Sequence, residues 1–371
     1  MGGAGSGRTV SQAGERRFTR IESLRAIAAL GVLAGHIVLV AGSSNDDGVI
    51  YRVLFGGGLG VYFFFGLTGY LLFWPFAQRY FGDADPIDLK RYAANRALRI
   101  LPLYYVVVIT VLLFADHVTA GVWARFLTFT ETTSNLTAGQ YVDVAWSLAV
   151  EVMFYALLPL LVYAVARVSR GSISRAAAIL VALGALSFLC RVLNVYEGHP
   201  AEPIWRFNLL ATFVFFVPGM LLALARVTWE RRGASIPTGW WSNAQLWFAI
   251  SLAVWLPVLL ISYHLDLLIC AASFLAIGAC VLAPGDGPLL RVLDARPLVA
   301  IGVASYSLYL WHLPITRTLN HALGNPTPAE LALVAVPASI AAALLSYRVI
   351  ERPFLGLRRQ WSESAAAQEE R

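Results

Sequence analysis

An arginine and a histidine lie eleven residues apart in one apolar stretch near the N-terminus. Arg25 and His36 belong to the run LRAIAALGVLAGHIVLV at 24–40. At ~1.5 Å and ~100° per residue, a helix would separate them by roughly 16 Å along its axis and keep them on nearly the same face. Because an ionisable group at membrane depth costs ~2.5–3.5 kcal/mol or more and commonly marks a function, His36 is a candidate catalytic residue. A core histidine bonded to a neighbouring helix is the alternative.

A carboxylate occurs at a comparable depth in another apolar segment. Glu151 lies near the start of AWSLAVEVMFYALLPLL, where Trp146, Ser147 and Tyr155 recur with it at helical spacing. A carboxylate at membrane depth needs a partner, and His36 is the candidate because it lies equally far from the same surface. A histidine oriented by a carboxylate is the arrangement of a general base. An ion pair that only joins two helices would give the same pattern.

Two further arginines precede the third apolar segment. Arg96 and Arg99 are three residues apart in KRYAANRALRILPLYY, so a helix presents them on one face. Guanidinium groups bind phosphates through paired hydrogen bonds, which favours a phosphate-bearing cofactor such as coenzyme A. Anchoring to lipid headgroups is the other interpretation.

Hydroxyl and aromatic side chains mark two more segments. Ser305, Tyr309 and His312 fall on one helix stripe in VASYSLYLWHLPI, and His312 is expected near the outer surface. This stripe would position a sugar-like acceptor, or it would form an interfacial aromatic belt. Thr68 lies between Gly66 and Gly69 in the second apolar segment, where small residues equally favour close helix packing.

The composition predicts a membrane protein. Hydrophobic residues make up 58% of the 371 residues and charged residues only 13%, whereas an average soluble domain has ~25% charged residues. The three cysteines, Cys190, Cys270 and Cys280, all lie in apolar segments, so neither a disulfide framework nor a metal cluster is expected. The net charge of +6 follows the loops and does not indicate nucleic-acid binding.

Ten apolar segments approach the ~20 residues that a spanning helix needs. They are 24–42, 57–77, 98–115, 145–167, 174–193, 207–226, 243–262, 265–283, 297–316 and 329–350. With ten spans and both termini in the cytoplasm, every arginine-rich connection falls on the cytoplasmic side. The opposite side then holds few cations, namely Arg52, Arg125, Arg191, Arg206 and Arg317. The sequence therefore predicts an all-α, polytopic helix bundle.

The chain divides into three parts. We expect a polar cytoplasmic tail at 1–20, a transmembrane domain at 21–355 and a second cytoplasmic tail at 356–371. The longest outer connection, about 116–144, is long enough to form a small cap. No internal repeat is visible. Because Lys90 is the only lysine among the basic residues, a GC-rich bacterial genome is favoured. In such a source we expect a multi-pass protein of the cytoplasmic membrane.

Taken in order, these motifs resemble acyltransferase family 3. This family of integral-membrane O-acyltransferases includes bacterial polysaccharide acetylases and macrolide O-acyltransferases. The resemblance extends from Arg25 to Pro353, and Thr68-Gly69 replaces the Ser-Gly that is common in the family. The motifs that carry it are R-x10-H at 25–36, FFGLTGY at 64–70, R-x-x-R at 96–99, WSLxxExxFY at 146–155, SYSLYLWH at 305–312 and E-x-P at 351–353.

The resemblance implies a mechanism. Acyl-CoA, most simply acetyl-CoA, would bind on the cytoplasmic side to Arg25, Arg96 and Arg99. His36, oriented by Glu151, would take the proton of an acceptor hydroxyl as that oxygen attacks the thioester. No metal is implied. The expected substrate-binding or oxyanion-stabilising residues are Ser147, Trp146, Tyr309, His312 and Thr68.

Several alternatives stay open at this stage. The acceptor is a glycan, a glycolipid or a secondary metabolite such as a macrolide. Transfer is direct or proceeds through an acylated His36. A proton-coupled secondary transporter would also place His36 and Glu151 in a membrane, although many transporters show internal repeats.

Overall fold

The structure is a computed structural model that describes residues 4–42, 48–196, 203–231, 243–260, 265–282, 285 and 287–357. Every regular element in these residues is helical, as the sequence predicts. The α-helices are α1 Ala4–Val40, α2 Val49–Gly56, α3 Gly60–Phe81, α4 Leu89–Phe114, α5 Ala120–Leu127, α6 Ala145–Ser169, α7 Ile173–Arg191, α8 Pro203–Arg206, α9 Leu209–Thr212, α10 Val217–Arg231, α11 Ala244–Leu260, α12 Asp266–Val281, α13 Pro288–Leu293, α14 Arg296–Val303, α15 Ser305–Ala322 and α16 Pro328–Ser346.

Six to eight segments of the described chain are long and apolar enough to cross a membrane. Six are single helical segments, and two are bent pairs. Helices α11 and α12 lie within the seventh and eighth predicted spans, but they have only 17 and 16 residues. The six single segments are Phe18–Val40, Val49–Phe81, Leu89–Phe114, Ala145–Ser169, Ile173–Asn194 and Pro328–Leu357.

The two bent pairs correct the sequence prediction, which treated 207–226 and 297–316 as continuous spans. The first pair is bent by 46° between Phe215 and Val217, and the second by 75° between α14 and α15. The second bend lets α14 pack closely along α1. A Cβ on Gly302 would lie only 1.8 Å from the carbonyl oxygen of Glu22, so this contact requires glycine. Apolar composition alone does not reveal such a bend.

The structure describes part of the two predicted tails. Helix α1 begins at Ala4, so from that residue on the predicted N-terminal tail at 1–20 continues into the first span. The predicted C-terminal tail at 356–371 lies outside the described residues after residue 357.

The glycines of the second span serve helix packing. A Cβ on Gly69 would lie 2.2 Å from the carbonyl oxygen of Phe216, at the break before α10. Helix α3 therefore contacts backbone directly there, which supports the packing interpretation of the Gly66 and Gly69 pair. The contact also fixes the rotation of α3, and Thr68 consequently faces the interior cavity described below.

A polar cap begins helix α4, which carries Arg96 and Arg99. Asp88 accepts hydrogen bonds from the backbone N–H groups of Lys90 and Arg91, which starts α4 seven residues before Arg96. The connector between α4 and α6 forms a small folded unit around α5, in agreement with the predicted cap. Its Phe126 is fully buried, and the backbone of that residue accepts a 2.8 Å hydrogen bond from Tyr104 of α4.

Candidate active site

Helices α1 and α15 hold the two residues on which the sequence motifs centre. Arg25 donates a 3.1 Å hydrogen bond from Nε to Ser305 Oγ. Eleven residues later, His36 Nδ1 lies 3.2 Å from Nε2 of His312. Because both contacts reach the same helix, the prediction that Arg25 and His36 share one face is confirmed. The two contacts also show that α1 and α15 run in the same direction.

Arg25 opens into a cavity of about 250 Å³, which we call the arginine cavity. Three arginines and two glutamates supply its charged groups, so the lining is electropositive. Four residues of this lining, Arg25, Arg96, Arg99 and Glu151, come from motifs on three different helices. The polar lining residues are Glu22, Arg25, Arg96, Arg99, Thr68, Ser147, Glu151, Tyr155, Ser305, Tyr306 and Tyr309.

Glu151 is held by two hydroxyl groups at the wall of this cavity. Thr68 donates a 2.8 Å hydrogen bond to one carboxylate oxygen, and Tyr155 donates a 2.7 Å hydrogen bond to the other. Tyr155 lies one helical turn after Glu151 on α6, so the helix itself supplies this donor. Two hydrogen bonds from Thr68 and Tyr155 fix the carboxyl group in one orientation.

Arg99 and Arg25 differ in how they are held. Arg25 bonds to Ser305 and lies 3.6 Å from a carboxylate oxygen of Glu22. Among the described residues, Arg99 has no hydrogen-bond or ion-pair partner, although it is partly buried in the cavity lining. The Glu351 carboxylate attracts Arg99 electrostatically without bonding to it, so the guanidinium N–H groups of Arg99 are available to an anion in the cavity.

His36 lines a second cavity of about 360 Å³, which we call the histidine cavity. Its wall contains an aromatic platform, because the rings of Trp146 and Phe207 stack with centroids 4.6 Å apart. The guanidinium group of Arg206 lies 5.6 Å from the ring of Phe207. The other polar residues in the lining are Tyr62, Gln140, Asp143 and Tyr309.

The predicted contact between His36 and Glu151 is wrong. Both carboxylate oxygens of Glu151 bond to Thr68 and Tyr155, and Glu151 lines the arginine cavity only. His36 Nδ1 instead lies 2.9 Å from the carbonyl oxygen of Val32, besides its contact with His312. The predicted equal depth of His36 and Glu151 in the membrane therefore does not bring their side chains into contact. The two groups occupy different cavities on either side of Tyr309.

Tyr309 lines both cavities and is tied to α6. Its hydroxyl lies 2.7 Å from Ser147 Oγ, and both hydroxyls lie within bonding distance of the carbonyl oxygen of Val144, at 3.3 and 3.1 Å. One hydroxyl donates to the other, and the second donates to the carbonyl. Both protons are thus in use, so the predicted oxyanion-stabilising role of Ser147, Tyr309 and Thr68 has no free donor in this arrangement.

His312 is bonded within the protein through both of its ring nitrogens. Its side chain is 1% exposed between α1 and α15, and it lines neither cavity; its predicted depth near the outer membrane surface stays a prediction. Its Nδ1 lies 2.7 Å from the carbonyl oxygen of Tyr309, and its Nε2 contacts His36. Both ring nitrogens are thus bonded within the protein, and the expected contact between His312 and a substrate stays a prediction.

Sequence reasoning missed Asp143 as a site residue. Asp143 precedes α6 in the lining of the histidine cavity and forms an ion pair with Arg317 at the far end of α15. Burial raises the pKa of the Asp143 carboxyl, and the positive charge of Arg317 partly opposes that shift. The signal was present in the sequence, since Asp143 lies eight residues before Glu151 in an otherwise apolar stretch.

No group of three or more histidine, cysteine, aspartate or glutamate side chains is suited to a metal ion within the described part of the chain. The three cysteines are free thiols, and all three lie in helices.

Comparisons with known proteins match this arrangement of motifs. A family model described as an acyltransferase domain matches residues 18–348. The putative peptidoglycan O-acetyltransferase YrhL of Bacillus subtilis is 26% identical over 91% of the chain, which spans 55% of that relative. The O-acetyltransferase OatA of Staphylococcus aureus is 25% identical over 91% of the chain and 57% of its own length. The peptidoglycan O-acetyltransferase OatA of Listeria monocytogenes is 25% identical, with 90% and 55% covered. No solved structure matches.

Proposed function

Because the chain belongs to acyltransferase family 3, we propose that it transfers an acyl group, most simply acetyl, from acyl-CoA to a hydroxyl of a glycan or a secondary metabolite. The chain spans little more than half the length of the curated relatives it matches, so their whole activity is not transferred to it. The single observation that carries the proposal is the pair of cavities that share Tyr309. One has the groups that bind a phosphorylated donor, and the other has a base.

The donor belongs in the arginine cavity. Arg99 is unpaired among the described residues, and Arg25 and Arg96 line the same space. Phosphate groups of coenzyme A are the ligands that such guanidinium groups prefer. The acyl end of the donor then points along α1 towards Tyr309 and His36.

His36 is the general base in this proposal. Its Nε2 takes the proton from the acceptor hydroxyl as the hydroxyl oxygen bonds to the thioester carbonyl carbon. The carbon–sulfur bond then breaks, and the protonated His36 returns its proton to the departing thiolate. An acyl-His36 intermediate is the alternative sequence of steps. Glu151 acts within the arginine cavity, where it lies near Arg25 and does not touch His36.

The acceptor belongs in the histidine cavity. The stacked rings of Trp146 and Phe207 offer an apolar face, and Gln140, Asp143 and Arg206 offer hydrogen-bonding groups beside it. An apolar platform with a polar rim suits a sugar ring. The relatives named as peptidoglycan O-acetyltransferases favour a glycan acceptor, while a glycolipid or a macrolide that bears a sugar fits the same chemistry.

The ten-span arrangement with cytoplasmic termini in a bacterial cytoplasmic membrane is part of the proposal. It is supported by two contacts between elements that this topology assigns to one face. Arg20 of α1 pairs with Asp294 at 3.0 Å, and Arg231 of α10 donates a 2.9 Å hydrogen bond to the backbone of Phe81 in α3. The parallel directions of α1 and α15 agree with their being the first and ninth spans.

The test is acceptor-dependent release of coenzyme A from acetyl-CoA by purified protein. We expect His36→Ala to lower turnover about 10²–10⁴-fold, which is the usual contribution of a general base. His321→Ala is the matched control, because His321 is an exposed histidine at the end of the same helix that carries His312. Normal turnover in His36→Ala would contradict the mechanism.

A transporter is not favoured, because the family match covers nearly the whole chain. Binding of coenzyme A to the purified protein distinguishes the two functions. A protein that moves protons without binding coenzyme A would contradict the proposed acyl transfer.

A further inference from the structure

The contacts of His312 and of the Val32 carbonyl together determine which ring nitrogen of His36 carries the proton. His312 Nδ1 lies 2.7 Å from the carbonyl oxygen of Tyr309 and 3.2 Å from that of Leu308. A carbonyl oxygen only accepts hydrogen bonds, so His312 Nδ1 must be the protonated nitrogen. In the neutral ring, Nε2 of His312 then has a free lone pair and accepts.

The same argument identifies the protonated ring nitrogen of His36. Its Nδ1 lies 2.9 Å from the carbonyl oxygen of Val32 and 3.2 Å from Nε2 of His312. Both neighbours are acceptors, so Nδ1 of His36 is protonated and donates. The neutral ring therefore keeps its lone pair on Nε2. Among the described residues, this Nε2 has no hydrogen-bond partner, and His36 lines the histidine cavity.

We propose that His312 is a positioning residue, which holds the Nδ1–H of His36 so that Nε2 faces the histidine cavity as the proton acceptor. The ring centroids lie 4.9 Å apart with their planes at 62°, and Nδ1 of His36 lies 3.2 Å from Nε2 of His312. His312 takes the place that a carboxylate holds in other catalytic dyads. When His36 becomes protonated, its Nδ1–H donates more strongly to the neutral His312.

Burial explains why a histidine, and not a carboxylate, accepts the hydrogen bond from His36. His312 is 1% exposed and sits between α1 and α15, where a carboxylate would need an additional partner. A neutral imidazole donates to the Tyr309 carbonyl through one nitrogen and accepts from His36 through the other. It is thus fully satisfied without a charge. This inference rests on the proposed function only where it concerns turnover.

The first test is independent of turnover. In protein that carries ¹⁵N-labelled histidine, the signals of His36 are assigned by their loss in His36→Gln. We expect the Nδ1–H tautomer for neutral His36 in the otherwise unchanged protein. A neutral His36 that is protonated on Nε2 would overturn the proposal even if the enzyme were fully active. A confirmed tautomer in a protein without acyltransferase activity would leave the positioning intact and contradict only the proposed function.

The second test separates positioning from space filling. His312→Gln keeps an acceptor oxygen near the place of Nε2, whereas His312→Leu has a similar size and no acceptor. We expect the Leu variant to lose about 10- to 100-fold in kcat with an unchanged KM for acyl-CoA, and the Gln variant to retain most of the turnover. Equal loss in both variants, or no loss in the Leu variant, would overturn the proposal. Thermal unfolding of each variant shows whether it is folded, and the tautomer measurement stands without either.

Discussion

The arginine cavity and the histidine cavity share Tyr309 but differ in the chemical character of the side chains that line them. The charged side chains of the arginine cavity come from α1, α4 and α6, and two hydroxyl groups donate hydrogen bonds to its Glu151. The second has a stacked aromatic pair, a histidine with a free Nε2 and a lining supplied partly by the connector between α4 and α6. The arginine cavity is lined by charged side chains of helices, and the histidine cavity is lined partly by aromatic rings.

This difference shows how one helix can serve two chemical tasks. Arg25 and His36 lie on the same face of α1, roughly three turns apart, so each faces a different cavity. Tyr309, bonded to Ser147, stands where the cavities meet. In our proposal the charged donor stays on one side of this tyrosine, and the acceptor and the base lie on the other. Water on the acceptor side is thereby kept from the thioester until a hydroxyl is in place.

Among the predictions that distinguish the two cavities, the largest change is expected in the KM for acyl-CoA when an arginine of the arginine cavity is removed. Arg99→Ala removes the guanidinium group that has no partner among the described residues of the arginine cavity. We expect the KM for acyl-CoA to rise about 10- to 100-fold with a small change in kcat, since a hydrogen bond to a charged group contributes ~1.5–3 kcal/mol. Steady-state kinetics with acyl-CoA varied at fixed acceptor measure this change.

Arg206→Ala is the matched control for that prediction. Arg206 is exposed beside Phe207 in the histidine cavity, so its removal should raise the KM of the acceptor and leave that of acyl-CoA unchanged. If both variants altered the acyl-CoA KM equally, the assignment of donor and acceptor to separate cavities would be wrong.

A smaller effect is expected at the shared wall. Tyr309→Phe keeps the ring and loses the hydroxyl that bonds to Ser147. Turnover should fall several-fold, because a neutral hydrogen bond contributes ~0.5–1.5 kcal/mol. Tyr309→Ala removes the ring as well and should raise the release of coenzyme A without acceptor. The ratio of coenzyme A released to product formed measures this coupling, and an unchanged ratio in the Ala variant would show that Tyr309 does not separate the cavities.

The sequence predicted much of the arginine cavity, because helical spacing and charge are local properties. Arg25, Arg96 and Arg99 line one space, as the family resemblance implied, and Glu151, which had been paired with His36, lines the same space. The common face of Arg25 and His36 was also predictable, since eleven residues are close to three helical turns.

The histidine cavity was less predictable because its geometry depends on helix rotation and on a bend. The bend between α14 and α15 starts α15 at Ser305, and the direction of α15 then brings His312 to His36. Depth along the membrane said nothing about rotation, so Glu151 was paired with the wrong group. Asp143 was missed because it lies in the connector, where no helical period relates it to the other site residues.

The two cavities also differ in what surrounds them on the outer side. Ala138, Gly139, Gln140 and Asp143 of the connector between α4 and α6 line the histidine cavity, whereas none of the described connector lines the arginine cavity. This connector contains Glu131, which is 1% exposed. Neither of its carboxyl oxygens has a hydrogen-bond partner among the described residues, and burial raises its pKa to about 8.

The last prediction concerns stability and not turnover. We expect the free energy of unfolding to depend on pH through Glu131. A pKa raised above its unfolded value of ~4.3 means that the folded protein binds the proton more tightly, so stability is highest in acid and falls as pH rises through about 8. Glu131→Gln cannot ionise and should lose less stability between about pH 6 and about pH 9, by roughly 3 kcal/mol, because about two pH units lie below the pKa of about 8 at ~1.4 kcal/mol per unit. Thermal unfolding in detergent measures the difference, and Asp116→Asn, an exposed carboxylate in the same connector, is the control. Equal pH dependence in the Glu131→Gln variant and the unchanged protein would show that Glu131 is ionised and solvated in the folded protein.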